Sequence, residues 1–171
     1  MFMTTSNSIV GEKLSDAHIE CVKESVISTF GTICGTEPVY QDGGENRLAC
    51  DGVVGIISIV GNVAWTLMLG LPRDTATSLA LKFAGFEIPF DSPDMGDVVG
   101  EMANVVAGDL IARLDCLGIA AKMSLPTVAR GHDIEMLMPG GLVPVKMRFA
   151  SPEGSFWLKL ATAETGQQTG R

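Results

Sequence analysis

The side chains best placed for chemistry lie in the segment Asp97-Val-Val-Gly-Glu101-Met-Ala-Asn104-Val-Val-Ala-Gly108-Asp109. On a helix that turns about 100° per residue, Asp97, Glu101, Asn104 and Gly108 fall within about 60° of one another. Val98, Val99, Met102, Val106 and Leu110 cover the opposite side, which must be the buried one. Gly100, Ala107 and Gly108 flank the polar stripe, so the expected surface is smooth and open to close approach. A solvated helix face ordinarily carries long-stemmed Lys, Glu and Gln. This one offers a carboxylate, which pairs with cations, and an amide, which both donates and accepts hydrogen bonds. A plainer reading stands beside it: Asp94 and Asp97 answer the helix dipole, and Glu101 is an ordinary surface residue.

Few other constellations compete. The sequence holds no GxSxG, no Walker loop, no GxGxxG and no histidine placed as a base. Asp91, Asp94 and Asp97 lack the glycine and closing glutamate of a calcium loop. Cys21, Cys34, Cys50 and Cys116 stand far apart with no CxxC pair, and neither His18 nor His132 sits at a zinc spacing. These features read as reduced, mostly buried thiols in a cytoplasmic protein with no metal or cofactor of its own. The N-terminus lacks the basic start and apolar run of a signal peptide. Twelve Lys and Arg against 20 Asp and Glu give a net charge of −8, which repels phosphate backbones and argues against nucleic acid.

The elements that must position the stripe follow from patterning. A chain of 171 residues with 46% hydrophobic content can bury one sizeable core. Residues 14–34 read as a helix capped at Ser15 or Asp16 and closed by Gly35. A short strand at 37–41 leads through the turn 42–45 and a strand at Leu48 into residues 52–72. That stretch carries no charge and is long enough to span a membrane. Gly61-Asn62 at its centre reads instead as a two-residue hairpin turn between strands 53–60 and 63–71, because both residues tolerate positive φ. Helices at 75–84 and 94–114 follow, then strands at 119–125, 133–138, 142–149 and 155–162, the last two joined by Ser151-Pro152-Glu153-Gly154. Residues 1–13 read as a flexible lead, 14–164 as a single domain, and 165–171 as a flexible tail. The predicted class is α+β, helices packed on a mainly antiparallel sheet.

Asp97-x3-Glu101-x2-Asn104, with Pro126 downstream in Ser124-Leu125-Pro126-Thr127-Val128, resembles the signature of the CheC/CheX/FliY chemotaxis phosphatases. The element order over residues 14–160 is similar to CheX. The first helix has Glu20-x2-Lys23 and Glu24-x2-Ile27 where CheC carries a second Glu-x2-Asn, so the resemblance implies one site per chain. It further implies a cytoplasmic phosphatase acting on a phosphorylated CheY-like receiver, Asn104 orienting the hydrolytic water and Glu101 pairing with the receiver's lysine. Asp97, Gly100 and Gly108 would line the contact. Mg²⁺ would come with the receiver and no metal with this chain, and the chain would form a homodimer. A non-catalytic receiver-binding module and a dimerisation domain remain the alternatives.

Overall fold

The computed structural model describes residues 14–42, 48–138 and 142–163. The lead at 1–13, the tail at 165–171 and all but Asp42 of the turn at 42–45 lie outside these residues. The first helix, α1, spans Asp16–Cys34. Its N-cap hydroxyl, on Ser15, accepts from the His18 backbone N–H at 3.3 Å, and His18 Nδ1 accepts from the Ser15 N–H at 3.2 Å. Gly35, at φ +71°, ends the helix. Strands β1 (Val39–Gln41), β2 (Leu48–Gly61) and β3 (Ala64–Pro72) precede helices α2 (Arg73–Ala84) and α3 (Pro93–Cys116). Strands β4 (Ala121–Met123), β5 (Thr127–Ile134), β6 (Leu142–Ser151) and β7 (Gly154–Ala163) complete the order.

The seven strands form one sheet in the order β1-β6-β7-β3-β2-β4, with β5 also pairing with β2, and every pairing is antiparallel. Three helices pack on this sheet, and the α+β expectation holds. Residues 53–71 form the expected hairpin, but its connection differs. Val60 pairs with Ala64, the last pair of the β2–β3 ladder, so three residues, Gly61, Asn62 and Val63, separate the paired positions. Only Gly61 takes a positive φ. Asn62 instead grips the approach to β4, donating its N–H to the Ala120 carbonyl and accepting the Ala120 N–H on Oδ1 at 2.8 Å.

The strands after α3 are also placed differently from the sequence reading. Extended pairing stops at Met123 and resumes at Thr127, because Pro126 has no N–H to give the ladder. β4 and β5 therefore lie end to end along β2, where one strand was expected at 119–125 and another at 133–138. The apolar alternation Ile134, Met136, Met138 does mark burial. Beyond Ile134, however, Met136 and Met138 pack against the second buried cluster, Val54, Met68 and Ala161. Among the described residues, no helix is long and apolar enough to cross a membrane.

The first face holds the main core. Met95, Val99, Met102, Val106, Leu110 and Leu114 of α3 are all fully buried. At about 1.5–3 kcal/mol for each such side chain, this face contributes on the order of 10 kcal/mol, far above the roughly 0–1 kcal/mol of any exposed ion pair. Burial therefore decides how α3 is rotated. Gly55 of β2 decides how closely it sits, since a Cβ there would lie 3.0 Å from Ala103 Cβ and 3.3 Å from the Val99 carbonyl oxygen. Gly55→Val is expected to destabilise the fold by about 1–3 kcal/mol in denaturant unfolding. Gly96→Ala, where the added Cβ meets nothing within 4 Å, should leave stability unchanged or raise it by up to about 1 kcal/mol.

Candidate functional site

The entry to α3 is fixed by ionic contacts at one corner of the sheet. Ser92 is the N-cap, but its hydroxyl makes no capping bond, and Pro93 follows at the start of the helix. Arg130 of β5 takes over the anchoring, donating from one nitrogen to the carbonyls of Phe90 (2.9 Å) and Ser92 (2.8 Å). Arg73 bridges Asp51 at 3.3 Å and Asp91 at 3.1 Å, and its guanidinium lies 4.6 Å from the centre of the Phe90 ring. His132 Nδ1 meets Asp51 Oδ1 at 2.7 Å. This corner was missed in the sequence, yet a signal exists. Asp51 and Arg73 bound the charge-free hairpin, and the register Gly52↔Pro72 brings its two ends together. Asp91, considered above as part of a metal cluster, is the partner of Arg73. Among the described residues no group of three or more His, Cys, Asp or Glu is placed to hold a metal.

The stripe itself is brought together in part. Asp97 and Glu101 are exposed, while Asn104 and Gly108 are half-buried. Gly100 and Ala107 are corrections: both are buried and form no part of an open approach surface. A Cβ on Gly100 would stand 3.3 Å from Val128 Cγ2 and 3.4 Å from Pro126 Cγ, so the glycine lets α3 settle against the start of β5. Sequence periodicity could not separate this role from surface access, because Pro126 and Val128, which cover Gly100, lie beyond the end of α3 in the sequence. At about 100° per residue, Asn104 sits roughly 40° round from Gly100 and Glu101 roughly 100° round in the same sense. In keeping with these angles, Asn104 is half-buried and Glu101 is exposed. Among the described residues, neither Asn104 nor Glu101 holds a side-chain hydrogen bond or ion pair.

The thiols add no chemistry at this face. Cys34 is buried, and desolvation pushes its pKa up to about 11. Cys21 is half-buried, whereas Cys50 and Cys116 are exposed, so the expectation of mostly buried thiols is corrected; all four are free.

A helix-backed antiparallel sheet whose longest helix carries a carboxylate and an amide about one turn apart, both unpaired among the described residues, defines an α+β scaffold with a helix-borne polar site. Solved structures agree on the fold. A CheC-like superfamily protein from Shewanella sp. PV-4 has a TM-score of 0.77 at 20% identity, covering 86% of this chain and 98% of that one. The chemotaxis protein CheX from Desulfovibrio desulfuricans gives 0.74 at 17% identity, covering 85% and 98%. A CheX–CheY–BeF3–Mg²⁺ complex from Borrelia burgdorferi gives 0.70 at 20% identity, covering 86% and 98%. No curated protein matches the chain. The family model described as "Chemotaxis phosphatase CheX" matches residues 53–150, more than half of the sequence, and the chain belongs to that family.

The corner that seats α3 is open to direct test. The His132 hydrogen bond, more than that of Arg73, holds the Asp51 carboxyl below its ordinary pKa. The sign follows: this pairing contributes to stability at neutral pH and is lost as acid protonates Asp51 through its lowered midpoint. His132→Ala is expected to move the Asp51 midpoint up toward the usual carboxylate range, read by carboxyl carbon NMR titration. An unmoved midpoint would show that Arg73 alone governs this carboxylate.

Proposed function

We propose that this chain hydrolyses the aspartyl-phosphate of a CheY-like receiver, with Asn104 orienting the attacking water and Glu101 engaging the receiver. One observation carries the reading: an amide and a carboxylate, about one turn apart on α3, have no side-chain hydrogen bond or ion pair among the described residues. Family membership supports it. So does the similarity to a CheX solved with CheY, beryllofluoride and Mg²⁺, since beryllofluoride shares the tetrahedral shape and charge of a phosphoryl group.

The chemistry asked of this chain is small. In the proposed complex, the receiver brings the phosphorylated aspartate, its Mg²⁺ and a lysine. The Asn104 carbonyl accepts a hydrogen bond from the water, and its amino group donates to the water oxygen, fixing the direction of attack on phosphorus. Water adds to phosphorus as the bond to the aspartyl oxygen breaks, giving inorganic phosphate and restoring the receiver's carboxylate. A water-orienting glutamine does the same work in small GTPases. Glu101, about one turn earlier and exposed, pairs with the receiver's lysine and sets the register of the two proteins. Asp97 and Gly108 border this contact; Gly100 acts beneath it by seating the helix. We further propose that the chain forms a homodimer, which sedimentation should detect at concentrations on the order of tens of micromolar.

Two variants separate the roles. Asn104→Ala is expected to keep the fold and receiver affinity while phosphate release falls on the order of 10²-fold or more, since a group acting on the water acts mainly in the transition state. Glu101→Ala removes a charge-assisted contact of about 1.5–3 kcal/mol, so affinity should fall along with turnover. Near-normal hydrolysis of the cognate phosphorylated receiver by Asn104→Ala would exclude this mechanism in favour of a non-catalytic binding module.

A further inference from the structure

The junction between β4 and β5 is a bulge. Met123 pairs with Ile59 and Thr127 with Ile56, so Ser124, Leu125 and Pro126 stand where β2 offers only Ile57 and Ser58. Such an extra residue re-aims the side chains around it. Pro126 turns inward over Gly100, while Leu125 is thrown outward and is 88% exposed. The backbone beneath it is pinned. Ser124 donates its N–H to the Ser58 carbonyl at 2.9 Å, the Ser58 N–H donates to Ser124 Oγ at 3.1 Å, and that hydroxyl donates to the Leu125 carbonyl at 2.8 Å.

A leucine held out to water on a fixed backbone forgoes the gain of burial unless something covers it. Its position indicates what does. Leu125 precedes the proline that lies on Gly100, the residue immediately before Glu101, and Asn104 follows Gly100 by about 40° round the helix. Met123, 37% exposed, extends the apolar strip along the helix to Gly108, where its Cε is 3.9 Å from the place a Cβ would occupy. The strip is thus continuous with the Glu101–Asn104 face. Charge points the same way. A chain of net charge −8 meeting a phosphorylated acidic site gains little from long-range attraction, so affinity there must come from short-range contacts.

Building on the phosphatase reading above, we propose that Leu125, supported by Met123, is the apolar anchor that docks the receiver and brings its phosphoryl group in front of Asn104. The anchor touches the partner protein and not the reacting atoms, so it is a positioning residue. Because its backbone is already ordered, it contributes contact with little further entropy cost.

The test uses the full chain and a CheY-type receiver, with phosphate release measured against phosphorylated-receiver concentration. Binding is measured separately on the receiver loaded with beryllofluoride and Mg²⁺. Leu125→Ser is expected to raise both KM and Kd on the order of tenfold, with kcat within about twofold of the parent, and Leu125→Met should recover most of the loss. An unchanged thermal unfolding curve confirms that the exposed site was altered without disturbing the fold. If the parent hydrolyses the receiver and Leu125→Ser leaves KM and Kd unchanged, the docking inference is overturned while the phosphatase reading stands. If Leu125→Ser instead dissociates a dimer and leaves receiver binding intact, the anchor belongs to a second copy of this chain and the inference is again overturned. A parent chain that neither binds nor hydrolyses any phosphorylated receiver overturns both.

Discussion

Everything at the candidate site depends on how α3 is pressed against β2. Six fully buried residues on one side of the helix settle its rotation. Gly55 beneath it and Gly100 at its edge settle its distance, each position having little or no room for a side chain. The polar stripe is what remains once that burial is satisfied. Glu101 and Asn104 need no local bonds to be held in place, because the helix holds their backbone and the core holds the helix. Among the described residues both side chains consequently keep their hydrogen-bonding capacity unspent.

The corner formed by Asp51, Arg73, Asp91, Arg130 and His132 plays a different part. These groups are largely exposed, and individually such pairs contribute little to stability. Their value lies in geometry. They tie both ends of the β2–β3 hairpin to the linker before α3, and Arg130 satisfies the Phe90 and Ser92 carbonyls just where the N-cap hydroxyl makes no bond. The helix is thus located at its start by charge, along its length by packing, and near Gly100 by the Pro126 segment.

Much of this was legible in the sequence. The apolar period of residues 98–110 identified α3 and its buried side. The Gly61 region identified the hairpin, and Gly35 and Gly85, both at positive φ, identified two helix ends. What was not legible depended on contacts between residues distant in sequence. Gly100 and Ala107 look like openings on a helical wheel, yet both are buried, and the Pro126 and Val128 side chains that cover Gly100 come only after the helix ends. The bulge at Ser124–Pro126 has no local period to betray it, and residues 133–138 alternate like a strand although part of the segment only packs across one. The Gly61–Asn62 pair correctly signalled reversal, but Asn62 spends its side chain on Ala120 and takes no left-handed conformation.

Catalytic turnover of a phosphorylated receiver at this surface is open to direct test. The most direct measurement follows the decay of a stoichiometrically phosphorylated CheY-type receiver with this chain present at a small fraction of its concentration. Decay of the whole phosphorylated pool is expected to accelerate in proportion to the amount of chain added. Decay that keeps the receiver's own rate, or a loss that stops at one phosphate per chain, would contradict catalytic turnover.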